Sequence, residues 1–123
     1  MVKGFYNEVR DLEDWEIKSW ARLPFQDSEI QNLAGVSELF GEEGFTNAER
    51  RWARPTAEVN GIGGGYQGEG SKTVIPAKSF VKLSFRLVPN QNPDKILQLV
   101  RDHFEENKPK GVKLEYEMGH SGK

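Results

Sequence analysis

Between Val81 and Met118 the hydrophobic period of the chain changes twice, and that change limits the folds open to it. Val81, Leu83, Phe85 and Leu87 alternate with Lys82, Ser84 and Arg86. This is the two-residue period of a strand with one apolar and one polar face. Pro89-Asn90-Gln91-Asn92 breaks the strand. Asn92 is suited to cap a helix whose first position is Pro93, where the missing N–H costs nothing. Ile96, Leu97, Val100 and Phe104 then form a helical stripe, and Pro109 and Gly111 end it. Val112, Leu114, Tyr116 and Met118 alternate with Lys113, Glu115 and Glu117, which predicts a second amphipathic strand over 112–118. Strand, helix and strand in this order imply a right-handed crossover between parallel strands. A weaker strand at 57–60 is placed antiparallel to residues 79–87, at the sheet edge.

Upstream of Pro55 the chain reads as short helices. Asp11 can cap a helix through about Arg22, with Leu12, Trp15 and Trp20 near one face and Pro24 beyond its end. Asp27 or Ser28 starts another, ended by Gly35. Thr46 and Glu49 have capping-box spacing, and the helix they open must stop before Pro55. Trp15, Trp20 and Trp52 read as packing residues. The 123 residues are therefore expected to form one domain, with a helical segment over 1–55 and a sheet with its crossover helix over 56–123.

Composition removes several classes of function. The formal net charge is −2, against a nucleic-acid module held by phosphate contacts. There is no cysteine, so disulfide scaffolds and thiolate zinc sites are excluded. The two histidines, His103 and His120, have no acidic or histidine neighbour at i, i+4 spacing, and no metal site is assigned to this chain. No apolar run is long enough to cross a membrane. The first eight residues lack the apolar core of a secretory signal, so a cytoplasmic location is expected.

The chemical candidates are few. Residues 61–70 hold six of the 13 glycines. Gly63-x-Gly65-x-x-Gly68 matches a dinucleotide fingerprint as a string, but that fingerprint needs a helix after its last glycine. Here the chain runs into strand-like Lys72-Thr73-Val74-Ile75-Pro76. The glycines then read either as a plain flexible connection or as a loop, centred on Gly63, Gly64, Gly65 and Tyr66, that lets a ligand approach the backbone. Arg86, on the polar strand face, is either a solvated cation or a fork for two-point contact with a carboxylate. Thr73 can donate a hydroxyl hydrogen bond. The adjacent pairs Glu42/Glu43 and Glu105/Glu106 read as solvated side chains, and no catalytic residue is assigned.

Three segments together resemble a known family. They are Arg54-Pro55-Thr56-Ala57-Glu58-Val59-Asn60-Gly61-Ile62, the block Gly64-Gly65-Tyr66-Gln67-Gly68-Glu69-Gly70-Ser71-Lys72-Thr73-Val74-Ile75-Pro76-Ala77, and Arg86-Leu87-Val88-Pro89-Asn90-Gln91. With Gly4-Phe5-Tyr6 and the stretch from Trp20 to Phe25, they resemble the lid, or dimerisation, domain of M-twenty metallopeptidases, in the carnosinase-like dipeptidase branch. The resemblance implies an α+β, ferredoxin-like (α/β-plait) lid. It would be incomplete, with a mixed or antiparallel sheet, helices on one face, and short helices before it.

By the same resemblance, Thr73 and Arg86 are substrate-binding residues, the arginine meeting a terminal carboxylate. The chain would hold no cofactor and would not be catalytic alone. Two zinc ions would sit in the catalytic domain of a longer parent peptidase. Its partners would be that domain and a second copy of itself, paired through the lid sheet edge and a helix, with neither nucleic acid nor membrane involved. The resemblance also places a first lid strand, missing from these residues, between 79–87 and 112–118. Open strand edges then predict self-association, or parallel closure of those two strands. The rival readings are a free-standing α+β module gripping a small anion with the glycine loop and Arg86, and a purely structural pairing unit.

Overall fold

The computed structural model describes residues 1–24 and 26–119. Phe25 and the terminal segment with His120 lie outside the described residues. The described chain contains four helices and two strands: α1 (Asp14–Trp20), α2 (Asp27–Ala34), α3 (Asn47–Trp52), β1 (Thr56–Gly64), β2 (Ser79–Arg86) and α4 (Pro93–Asn107). It forms two compact units, Met1–Arg54 with Leu87–Lys123 and, separately, Pro55–Arg86. The first unit is thus built from two stretches of chain, before Pro55 and after Arg86.

The second unit is an antiparallel hairpin in which β1 and β2 form a two-stranded sheet. Thr56 lies opposite Arg86, Glu58 opposite Ser84, Gly61 opposite Lys82 and Gly63 opposite Phe80. Between Val59 and Gly61 the register shifts, leaving Asn60 as the extra residue of a β-bulge. The bulge keeps Ala57, Val59 and Ile62 on the face they share with Val81, Leu83 and Phe85. Without it, Ile62 would turn to the polar face, because strand side chains alternate strictly. The expected strand at 57–60 is therefore present, but longer.

In the first unit, α4 begins as its sequence dictates. The Asn92 side chain accepts from the N–H groups of Asp94 and Lys95, and Pro93 occupies the first turn. Ile96 is 2% exposed and Val100 is buried with it. The N-terminal turn packs on this helix. Gly4 adopts φ +83°, and a Cβ there would lie 3.3 Å from Leu99 Cδ1. Next to it, Phe5 is buried, and its carbonyl accepts from Gln91 Nε2 at 2.8 Å. Gln91 Oε1 in turn accepts from the Val88 N–H, so one buried amide is satisfied on both sides. Glu8 pairs with Lys95.

The N-terminal helices follow their caps, with one shift. Thr46 and Glu49 form the expected capping box, and Gly35 ends α2 in the left-handed region at φ +68°. Helix α1, however, starts after Glu13 rather than Asp11. Glu16 decides this: its carboxylate accepts from the Glu13 N–H at 3.0 Å and from both terminal nitrogens of Arg10, at 2.7 and 2.5 Å. The tryptophans also depart from expectation. Trp20 and Trp52 contact one another, with ring centroids 6.1 Å apart, but Trp15 is largely exposed and Trp52 nearly half exposed.

The second amphipathic strand does not form. Residues 112–118 join no ladder among the described residues, and the parallel crossover is absent with it. The apolar positions lean on α4 instead: Arg101 stacks on the Tyr116 ring at 5.1 Å, and the Tyr116 hydroxyl donates to Glu105 at 3.1 Å. A ladder needs a neighbouring backbone, which alternation in one segment cannot supply.

The Arg10 contact, helped by the Glu13 N–H, lowers the Glu16 pKa from 4.5 to about 2. A folded value below the unfolded one stabilises fully above the unfolded pKa and is lost as pH falls through the folded pKa. Glu16→Gln is therefore expected to be less stable than wild type at neutral pH. In urea unfolding, the gap is expected to close between about pH 4.5 and about pH 2. A gap that stays constant over that range would refute the assignment.

Candidate functional site

Arg86 is the last residue of β2 and its side chain is exposed. The hairpin register puts it on the face that also carries Lys82, Ser84, Glu58 and Thr56. Thr56, directly opposite, has a buried hydroxyl oxygen with no hydrogen-bond partner. The exposed Arg86 guanidinium has the planar fork that meets a carboxylate at two points. Sequence reading singled out Arg86 from the polar phase of its strand and missed Thr56. Only the cross-strand register brings the two side by side.

Thr73 lies in the exposed segment 65–78 between the strands. That segment carries Gly65 at φ +71° and Gly70 at φ +80°, conformations that glycine adopts without steric cost. The Tyr66 hydroxyl donates to the Glu69 carbonyl at 3.2 Å, and the Lys72 ammonium lies 5.6 Å from the Tyr66 ring centroid. Gly65 and Tyr66 lie in this segment. Gly63 and Gly64 do not: both are ladder residues of β1. Their missing side chains let the strands close. A Cβ on Gly63 would fall 2.6 Å from the Phe80 ring, and one on Gly64 would fall 2.7 Å from Ser79 Cβ.

The carboxylate pairs take no part in this arrangement. Glu42 accepts from Arg54 Nε and Nη2 at 2.7 and 2.6 Å. The hydrogen bond from Lys108 holds the Glu105 carboxyl below its ordinary range, with Tyr116 adding to it. His103 is half-buried on α4, its ring 6.2 Å from that of Phe104. Among the described residues no three His, Asp or Glu side chains gather as a metal set. No helix among the described residues is long and apolar enough to cross a membrane.

A family profile described as "Peptidase dimerisation domain" matches residues 7–112. The chain belongs to the M-twenty peptidase dimerisation domain family. It is 29% identical over 103 residues to the Cys-Gly metallodipeptidase dug1 of Schizosaccharomyces pombe, covering 84% of this chain and 22% of that protein. It is 30% identical over 106 residues to the human Beta-Ala-His dipeptidase, covering 86% of this chain and 21% of that protein. Among solved structures it matches the M20 family metallo-carboxypeptidase Sso-CP2 of Sulfolobus solfataricus. The TM-score is 0.74 at 38% identity, over 86% of this chain and 24% of that one. Human carnosine dipeptidase 1 matches with TM-score 0.71 at 31% identity, over 85% and 22%. The dimerisation domain described here therefore spans about a fifth to a quarter of the relatives it matches. The α+β elements and these neighbours place it in the ferredoxin-like lid class.

The close approach at the mouth of the hairpin gives a direct test. An added Cβ at Gly64 would also lie 3.3 Å from Ser79 Cα, which is backbone and cannot swing aside. Gly64→Ala is expected to destabilise the hairpin by about 1–3 kcal/mol, the range for overpacked sites. An unchanged urea midpoint would show that the strands separate there without penalty.

Proposed function

We propose that this dimerisation domain is the lid of a zinc-dependent dipeptidase, positioning substrate and joining subunits without being catalytic alone. The observation that carries the reading is the place of Arg86, in a chain whose curated relatives are metallodipeptidases. Arg86 ends β2 on the polar face, and Thr56 stands opposite with an unsatisfied hydroxyl. A dipeptide presents a terminal carboxylate, and a planar guanidinium meets its two oxygens with two parallel N–H donors. In this reading Arg86 takes the carboxylate, and Thr73 and the loop from Gly65 and Tyr66 reach the substrate from the strand connection. The zinc ions and the general base belong to a catalytic domain of the parent enzyme, and the cytoplasm is the proposed location. Holding the substrate in a reactive pose is worth several orders of magnitude in rate, but only with the reacting groups present.

In a complete enzyme carrying this lid, Arg86→Ala is expected to lower kcat/KM by about 1.5–3 kcal/mol, the scale of a hydrogen bond to a charged group. Arg86→Lys is expected to recover only part of the loss, since one ammonium cannot reproduce the fork. Steady-state hydrolysis of a dipeptide measures both. Wild-type efficiency in the two variants would make Arg86 an ordinary surface residue.

A further inference from the structure

The polar face of the hairpin carries its charges in a fixed order that only the cross-strand register reveals. On β2 the face bears Arg86, Ser84, Lys82 and Phe80; opposite them β1 bears Thr56, Glu58, Gly61 and Gly63. Arg86, Glu58 and Lys82 are all exposed. A cation stands at the Thr56 end, an anion one same-face pair further along, and a second cation one pair beyond that.

The far side of this row is closed. β1 has no side chain at Gly61 or Gly63, and β2 fills the space across it. The Lys82 stem lies over Gly61, where a Cβ would be 3.5 Å from Lys82 Cδ. The Lys82 ammonium is turned to the Phe80 ring, 5.8 Å from its centroid. That ring covers Gly63, which is buried beneath it. What is left between Arg86 and the Lys82 stem is a single open row, that of Glu58 and Ser84.

The spacing of these rows is a length scale. Residues of an antiparallel strand rise by about 3.4 Å each, so the Glu58 row lies about 7 Å from Arg86 along the strand and the Lys82 row about 14 Å. An extended peptide spans at most about 3.6 Å per residue, about 7 Å for two residues and about 11 Å for three. With its carboxylate on Arg86, a dipeptide brings its ammonium to the row of Glu58. A tripeptide carries its ammonium past that row, against the Lys82 stem and toward a like charge. Unlike charges attract and like charges repel with the same strength at the same distance, so the order cation, anion, cation favours one length and penalises the next.

We propose that Glu58 and Lys82 form a length gauge on the lid: Glu58 accepts the ammonium of a dipeptide whose carboxylate is on Arg86, and Lys82 turns away longer peptides. The inference rests on the lid reading, in which Arg86 takes the carboxylate, and adds the residues that read the other end of the substrate.

The test is the ratio of kcat/KM for dialanine to that for trialanine, in a complete enzyme carrying this lid. Wild type is expected to favour dialanine. Glu58→Gln keeps the shape and removes the charge; it is expected to lower the ratio about fivefold, the size of one exposed ion pair, through a raised KM for dialanine. Lys82→Glu replaces a repelling group with an attracting one and is expected to lower the ratio about tenfold, mainly by improving trialanine. Glu58→Asp, which keeps the charge, is expected to retain most of the preference. The ratio does not depend on how much of the enzyme is folded, so a loss of stability mimics none of these changes. A wild-type ratio near one, or ratios that Glu58→Gln and Lys82→Glu leave unchanged, would overturn the gauge while leaving Arg86 as the carboxylate group. Arg86→Ala at wild-type efficiency on both peptides would overturn the lid reading itself, and with it the origin from which the gauge is measured.

Discussion

The first unit depends on Arg54. Its guanidinium makes a two-point ion pair with Glu42 and lies over the Phe45 ring at 4.2 Å and the Tyr6 ring at 5.1 Å. The hydrogen bond to Glu42 raises the Arg54 pKa, and burial pushes the Tyr6 phenol above its ordinary value. One side chain thus ties together the loop at 42–45, the end of α3 and the N-terminal turn. Few apolar side chains are buried among the described residues; Phe5, Ala48, Ile96 and Val100 form the core. A core this small leaves much of the orientation of its parts to polar contacts. A lysine could supply the charge but neither the fixed two-point fork nor the flat face that both rings accept. Gln91 does similar work with a neutral group, joining the Phe5 carbonyl and the Val88 N–H from one amide.

What the sequence made legible was local. Asn92-Pro93, Thr46 with Glu49, and Gly35 each carry their own geometry, and the helix ends lie where those residues put them. Asp11 failed as a cap because Arg10, one residue before it, holds Glu16 in place, and Glu16 fixes the first turn at Glu13. The strand at 57–60 ran on to Gly64 because a bulge at Asn60 repaired an alternation that seemed to end there. Gly63 and Gly64 looked like loop because glycine is rare within strands. Here their bareness accommodates Phe80 and Ser79. The alternation over 112–118 was real, but pairing is a property of two segments, and one segment cannot announce it.

The same limit governs the site. Arg86 stands out in the sequence because a cation on the polar phase of a clear strand has a known direction. Thr56 does not, since nothing near it in the chain refers to residue 86. The register alone joins them, and the bulge protects that register's division of labour. With Asn60 looped out, Ala57, Val59 and Ile62 keep to one face while Thr56 and Glu58 keep to the other with Arg86. Ile62 is 80% exposed on its face, so the hairpin presents two chemically distinct surfaces from very few residues.

The groups placed by the hairpin suit positioning, the task proposed for this domain. In the proposed reading Arg86 discriminates by the spacing of two donors, through geometry more than through strength. An exposed ion pair adds at most about 1 kcal/mol, so where such a group stands counts for more than the charge it carries. Weak groups in a fixed order therefore suffice for a domain whose proposed work is to hold a substrate and a second subunit in place.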